Sequence, residues 1–430
     1  MKMNLSQKIS VTLLFVVTHL GFYGSIAFAV EKAQAVSSGN IAKSRGTRAA
    51  DDYEGRAGGP IYEYGKGLQI GPAHFIPNID YKYAWDNNVF YDENGRKSDY
   101  INRLRTGLTG ELPLGGGQHV ISASYDTFTE WFARYGSQDH TDHIVGLGAK
   151  LNFVPFSLSL DDRFLRTVGR SGTEFTARVP RDENTVHGLL EIPFAAFFIE
   201  SEASYLSQDY LNSSESAFIH NDLDVFQRIG IDISGNNQFL AEYGYKNLNY
   251  TKNKDRNGDA NQFMLGLRGN WTERISYQAW GGAQYRIYDT SSLPDFNGFV
   301  MRAAVQYSIS DASTLTLRGN RLPQESTFDG QSFYVGNQAE LDWKQQIAER
   351  IFFHTRESLN YNEYSRITVL NNTERTRRDY VWQTGVGLEY FMPNNLVSFT
   401  LDYRFNARES NTALLGYDAQ EITAGVRASF

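Results

Sequence analysis

The sequence predicts an all-β fold, a single closed antiparallel transmembrane β-barrel of about 18 strands with short turns on one side and longer loops on the other. Three observations predict it. After residue 67, apolar and polar residues alternate in stretches of ten to eighteen residues, the period of a strand with two unlike faces. Connections between the stretches are alternately short and long. Aromatic residues gather at both ends of the stretches, where two membrane interfaces would lie.

Composition agrees with an exported, strand-rich chain. Of 430 residues 14% are aromatic, with 26 Tyr and 28 Phe, and Gly (38) far outnumbers Pro (10). A mean hydropathy of −0.44 is too polar for a helical membrane protein. At the start, Lys2 and Lys8 precede an apolar run from Val11 to Phe28 that ends in Ala27-Phe28-Ala29. This is the form of a signal peptide over residues 1–29, cleaved after Ala29 and too broken by Thr18, His19 and two glycines for an anchor. Removing Lys2 and Lys8 leaves 39 Lys+Arg against 49 Asp+Glu, a mature charge near −10 that argues against nucleic acid as a partner. With zero Cys there are no disulfides, no thiolate metal ligands and no lipidated cysteine. Residues 30–67 have little apolar content and read as a flexible periplasmic leader, leaving 68–430 for the barrel.

The short connections are "LPLGGGQ", "FVPF", "PFAAF", "SGNN", "TER", "SDA", "AER" and "PNN"; the long ones include "YDENGRKSD", "RYGSQDHTD", "GRSGTEFTARVPRDEN", "TKNKDRNGD" and "NNTERTRRD". Eight short and nine long connections imply eighteen strands from near His74 to Phe430, with both ends on the short-turn side, as in outer-membrane barrels. The aromatic clusters are Phe153, Phe156, Phe194, Phe197, Trp271 and Phe391 beside short turns, and Trp85, Trp131, Tyr205, Tyr210, Tyr250, Tyr285 and Tyr361 at loop ends. An unpaired backbone group costs several kcal/mol in hydrocarbon, so the last strand must pair with the first.

In the last strand Ile422, Ala424, Val426, Ala428 and Phe430 form one face, expected to meet lipid and to carry the signal read by the barrel-assembly machinery, while Arg427 faces the lumen. Taking the inward phase of six consecutive strands gives Arg228, Lys246, Arg268, Arg286, Arg302 and Arg318 as a candidate anion track at middle depth. Neighbouring sectors carry Glu191, Glu200, Glu202, Asp224, Asp232, Glu340, Asp342 and Asp402. Such opposed charges set up a transverse field or a binding track; the alternative is a ladder of charges that merely pair with their neighbours.

No catalytic residues, cofactor or metal are expected. "DHTDH" (Asp139, His140, Asp142, His143) has no zinc spacing, and "DRNGD" (Asp255 to Asp259) lacks the Gly and Glu positions of a calcium loop. Both read as loop chemistry.

Three stretches resemble a known family. They are "NIDYKYAWDNNVFYDENGRKSDYINRLRTGLTGEL", "AEYGYKNLNYTKNKDRNGDANQFMLGLRGNWTERISYQAWGGAQYRIYD" and the C-terminal strand. Together they are similar to family 2 of the outer-membrane β-barrel porins, often encoded with exopolysaccharide synthesis and export systems. The resemblance implies a non-enzymatic conduit in the Gram-negative outer membrane, for export of a polysaccharide or passage of hydrophilic solutes. Its implied partners are outer-membrane lipid and lipopolysaccharide, the barrel-assembly machinery and polysaccharide export components. A general diffusion porin, and an adhesin or rim enzyme working through the loops, are the alternatives.

Overall fold

The computed structural model describes residues 67–430 apart from 171, 173, 175, 235, 329, 330, 371, 372, 394 and 430. The expected signal peptide, residues 30–66 of the leader, and Phe430 lie outside the described residues.

Among the described residues nineteen strands follow one another in the order of the chain. The first five are β1 (Leu68–Ile70), β2 (Ala73–Asp86), β3 (Asp99–Leu114), β4 (His119–Phe132) and β5 (His140–Asn152). Next come β6 (Ser157–Thr167), β7 (Arg181–Pro193), β8 (Phe197–Tyr210), β9 (His220–Ser234) and β10 (Asn237–Tyr250). They continue with β11 (Gly258–Thr272), β12 (Ile275–Tyr288), β13 (Phe296–Ser310), β14 (Ser313–Glu325) and β15 (Phe333–Ala348). The last four are β16 (Ile351–Leu370), β17 (Thr373–Phe391), β18 (Val397–Ser410) and β19 (Tyr417–Ser429). From β2 to β19 each strand pairs antiparallel with the next, and β19 pairs with β2 from Glu421↔Asp86 to Ser429↔Asn78. The barrel therefore closes with eighteen strands, which removes the free edges that hydrocarbon does not tolerate.

The three-residue β1 is an addition to the expected eighteen. It pairs Leu68↔Phe75 to Ile70↔Ala73, while the other side of β2 is taken by β3 from His74 onward. So β1 continues the β19 side of β2, over residues that the described part of β19 does not reach.

Local chemistry explains the turns. Gly115, Gly116 and Gly117 between β3 and β4 all have positive φ (58°, 71° and 91°), a region that residues with a Cβ avoid. One expected loop is not a loop. Most of "NNTERTRRD" is strand, because β16 and β17 run on past their neighbours, pairing Leu370↔Thr373 through Ile367↔Thr376 and then Glu363↔Arg378 to Ile351↔Tyr390. Polar, charged residues read as loop by composition, yet a strand tolerates them where they pair on one face, as the buried Arg377 and Asp379 do, and meet water on the other, as Arg378 does.

The alternation separates two solvents. Outward positions such as Ile229, Phe263, Leu265, Phe299, Leu401 and Trp382 are exposed. On β19, Ile422 and Val426 are exposed while Thr423 and Ser429 are buried, which is the expected phase. Three aromatics assigned to the interfacial girdles face inward instead: Tyr210, Tyr250 and Phe391 are 4%, 1% and 1% exposed. Their neighbourhood in sequence marked the correct end of each strand but not its face, since a shift of one residue reverses the side.

Candidate functional site

Strand register puts all six expected cations on the inner face. Arg228 opposes Glu242, and Lys246 opposes Asp224 and Ala260, which opposes Arg286. Arg268 opposes Gln278, then Ala304, then Arg318; Arg302 opposes Trp280. They share a face but not a level. Referred to β10, the cations spread from the row of Gln238 to that of Lys246, about 26 Å along the strand at ~3.3 Å per residue. The inward phase fixes which side a residue takes, whereas its level depends on register.

Each cation meets a carboxylate. Arg228 donates from Nε to Glu242 (2.6 Å), from Nη1 to Glu200 (3.1 Å) and from Nη2 to Glu202 (2.8 Å). Arg268 donates to the other oxygen of Glu200 (2.6 Å), and Arg302 to the other oxygen of Glu242 (2.7 Å). Three cations and three carboxylates thus form one network across β8 to β13. Lys246 lies 2.9 Å from Asp222 and 3.4 Å from Asp224, Arg286 pairs with Glu325, and Arg318 binds both Glu340 (2.5 Å) and Asp342. Further carboxylates have neutral or histidine partners. Glu191 accepts from Ser157 (3.0 Å) and Asp232 from Gln238 (2.9 Å), and Asp402 lies 3.2 Å from His354. On the closing strand Arg427 faces the lumen as expected, 3.1 Å from Asp80 and 3.5 Å from Glu389.

The outer mouth is built differently. The loop 168–180 between β6 and β7 carries Glu174 to the loop 326–332 between β14 and β15. Around the wall these hairpins are seven strands apart one way and nine the other, so the contact crosses the lumen. Glu174 Oε1 accepts from Ser326 Oγ (2.7 Å), and Oε2 from the Thr327 N–H (2.6 Å) and Oγ1 (3.1 Å). Its carbonyl accepts from Arg408 Nη1 on β18 (3.0 Å). At the other side of the same loop, Arg170 and Arg178 both donate to the Val89 carbonyl, at 2.8 and 3.1 Å. Arg170 also lies over the Tyr91 ring (3.7 Å), which stacks on Tyr417 (4.4 Å). Burial, aided by the nearby Arg170 charge, holds the Arg178 guanidinium below its ordinary pKa. Three more arginines, Arg181, Arg377 and Arg408, are each 1% exposed at this end. None of these residues was a sequence candidate. The one signal was the length of 169–184 and its three arginines, because an over-long loop between strands is frequently functional.

The two loop motifs behave as turn chemistry. In "DHTDH" only Asp139 is in the loop, accepting from the Phe132 N–H (2.7 Å). His140 and Asp142 begin β5 facing inward, Asp142 accepting from Thr167 and the Val168 N–H, both at 2.9 Å. His143 faces outward, 2.9 Å from the Tyr125 hydroxyl. Alternation along the strand parts the outward His143 from the inward His140 and Asp142, which lie 3.9 Å apart, and among the described residues no cluster suits a metal ion. In "DRNGD", Asn257 caps the turn by accepting from the Tyr250 N–H (2.7 Å), and Arg256 turns inward to the 326–332 loop.

A closed, charged-lumen barrel with an apolar outer belt is the architecture of outer-membrane channels. A family model described as "Putative beta-barrel porin 2" matches residues 221–430. Over that span the chain is similar to the family its motifs resemble. Two of the three resembling stretches fall inside the match, and "NIDYKYAWDN" and the hairpin after it fall before it. Among solved structures, the chain is similar to OccK2 (OpdF) of Pseudomonas aeruginosa, with 11% identity, a TM-score of 0.47, and 85% of this chain and 99% of that one covered. For OpdL of the same organism the values are 12%, 0.45, 84% and 99%, and for OccAB3 of Acinetobacter baumannii 10%, 0.45, 84% and 100%. The search of curated proteins found no match. The chain is a porin-like outer-membrane β-barrel.

Proposed function

We propose that this porin is a non-enzymatic conduit for anionic hydrophilic solutes, and that an acidic polysaccharide on its way out of the cell is its natural cargo. The observation that carries the reading is the row Arg228, Arg268 and Arg302 on one wall of a closed barrel, sharing Glu200 and Glu242 as counter-ions. Shared carboxylates let an arginine exchange one partner for an anionic group of the cargo while keeping another, so charge is handed along the wall without being stranded. The polysaccharide assignment rests on the family resemblance, and the crossing of the mouth by 168–180 means that a polymer passes only when that loop moves aside.

Reversal potentials of the reconstituted barrel test the anion reading. Arg268→Ser with Arg302→Ser is expected to lower anion preference several-fold while leaving conductance in place. A cation-preferring channel that the double substitution leaves unchanged would refute it. Cell-associated retention of polysaccharide in a deletion strain separates export from general diffusion.

A further inference from the structure

We propose that the Ser326–Thr327 turn at the outer mouth is a carboxylate-binding site whose resident occupant is the side chain of Glu174, and that carboxylate-bearing solutes compete with it. The inference rests on the conduit reading and adds the group by which the mouth recognises its cargo.

The turn holds both carboxylate oxygens, with two hydroxyls and one N–H at 2.6–3.1 Å. That is a donor set for a carboxylate, in which each oxygen is bonded and the plane is fixed by three directions. Among the described residues no cation lies within ion-pair distance of Glu174, so the turn supplies its direct contacts while the buried Arg377 charge acts on it from further off. It reaches the turn from a hairpin almost opposite in the wall, on a loop otherwise fastened by Arg408 to the Glu174 carbonyl and by Arg170 and Arg178 to Val89.

A second observation points to a ligand. Two buried arginines flank the turn, and among the described residues each keeps a buried N–H without a hydrogen-bond partner. Arg377 is 1% exposed, lies over the Phe328 ring (4.5 Å), and has Nη1 unpartnered. Arg256 is 4% exposed, donates to the Ser326 and Ser332 carbonyls, and has Nε unpartnered. An orphaned buried guanidinium N–H is costly, and here two stand beside one turn that already binds an anion. A solute with more oxygens than one carboxylate, such as a uronic acid, offers acceptors that Glu174 lacks.

Exchange at this turn is electrically neutral. One carboxylate enters as another leaves, so the desolvation that opposes burying an unmatched charge cancels between the two states. A tethered competitor acts at millimolar effective concentration, so free carboxylates are expected to compete in that range, and removing the tethered charge raises the apparent affinity about tenfold.

The full chain in detergent is titrated calorimetrically with glucuronate, acetate and glucose, and its conductance in planar bilayers is recorded with chloride replaced by glucuronate at fixed ionic strength. Heat-modifiable mobility verifies that each variant is folded. Glu174→Gln is expected to bind glucuronate about tenfold more tightly than the unaltered chain, with higher conductance. Acetate shares the effect in part and glucose shows none. Adding Ser326→Ala to Glu174→Gln is expected to abolish the gain. Glucuronate and glucose behaving alike in Glu174→Gln, while the barrel still conducts, refutes the site and leaves the conduit reading standing. Absence of conductance in every folded form refutes the conduit reading and the inference with it.

Discussion

The inner wall and the outer mouth both rest on buried arginines, yet those that fasten the loops of the mouth are satisfied differently from those of the wall. In the wall, the guanidinium of Arg228 is closed on by Glu200, Glu202 and Glu242, all borne by the adjacent strands β8 and β10. At the mouth, Arg170 and Arg178 share a backbone carbonyl, and Arg408 donates to the carbonyls of Leu415 and Glu174. The wall matches charge with charge across about 4.8 Å of sheet, which makes it stiff. Beside the buried ion pairs Arg181–Glu183 and Arg377–Asp379, the mouth uses neutral acceptors and aromatic faces on its loops, and those loop contacts exchange without leaving a bare carboxylate behind. Stiffness belongs to the part that must stay closed to lipid, and exchangeability to the part that meets solute.

The largest effect tests the wall. Arg228→Ala leaves three carboxylates around an emptied position, and removing one partner of a buried ionic group costs about 3–5 kcal/mol. The folded, heat-modifiable band is expected to convert at clearly lower temperature or urea. Adding Glu242→Gln is expected to recover part of the loss, since fewer negative charges then face one another. An Arg228→Ala barrel as stable as the unaltered one would show that the wall is no more tightly matched than the mouth.

The contrast also accounts for what the sequence discloses. Arg228, Arg268 and Arg302 were legible because a strand sends alternate residues to alternate faces, so the apolar phase of Ile229 or Leu267 identifies the inner phase. Their levels were not legible, because register comes from pairing along the barrel. The closure of β19 on β2 followed from the unpaired-backbone argument alone. Glu174 meeting Thr327 was invisible, as it joins residues 153 positions apart through loops that have no periodicity. The inward aromatics Tyr210, Tyr250 and Phe391 failed for a third reason: proximity to a turn says nothing about side.

A smaller effect is expected on the lipid side of the seam. Ala424 is outward on β19, opposite Leu401 on β18 and Tyr83 on β2. Ala424→Arg places a charge in the apolar belt, at about 2–4 kcal/mol near the midplane. Arg427→Ser, three residues on and facing the lumen, loses part-exposed ion pairs with Asp80 and Glu389 and is expected to cost about 1 kcal/mol or less. Urea titration of refolded barrels measures both. Equal costs would mean that residues 424 and 427 do not face different solvents.

A comparably small effect on stability belongs to the mouth, and there the readout changes. Arg178→Ala removes one hydrogen bond to the Val89 carbonyl, but Arg170 still donates to that oxygen at 2.8 Å, so the acceptor stays satisfied. The substitution also relieves the repulsion between Arg178 and Arg170 that, together with burial, disfavours the Arg178 charge. What remains is the loss of its packing on Phe132 (4.8 Å) and of a 4.0 Å approach to Glu130. The net change is expected to be about 1 kcal/mol, well below that of Arg228→Ala, while conductance rises because one fastening of 168–180 is gone. A loss of stability matching that of Arg228→Ala, with conductance unchanged, would make the mouth a continuation of the wall and end the distinction between a stiff barrel and an exchangeable opening.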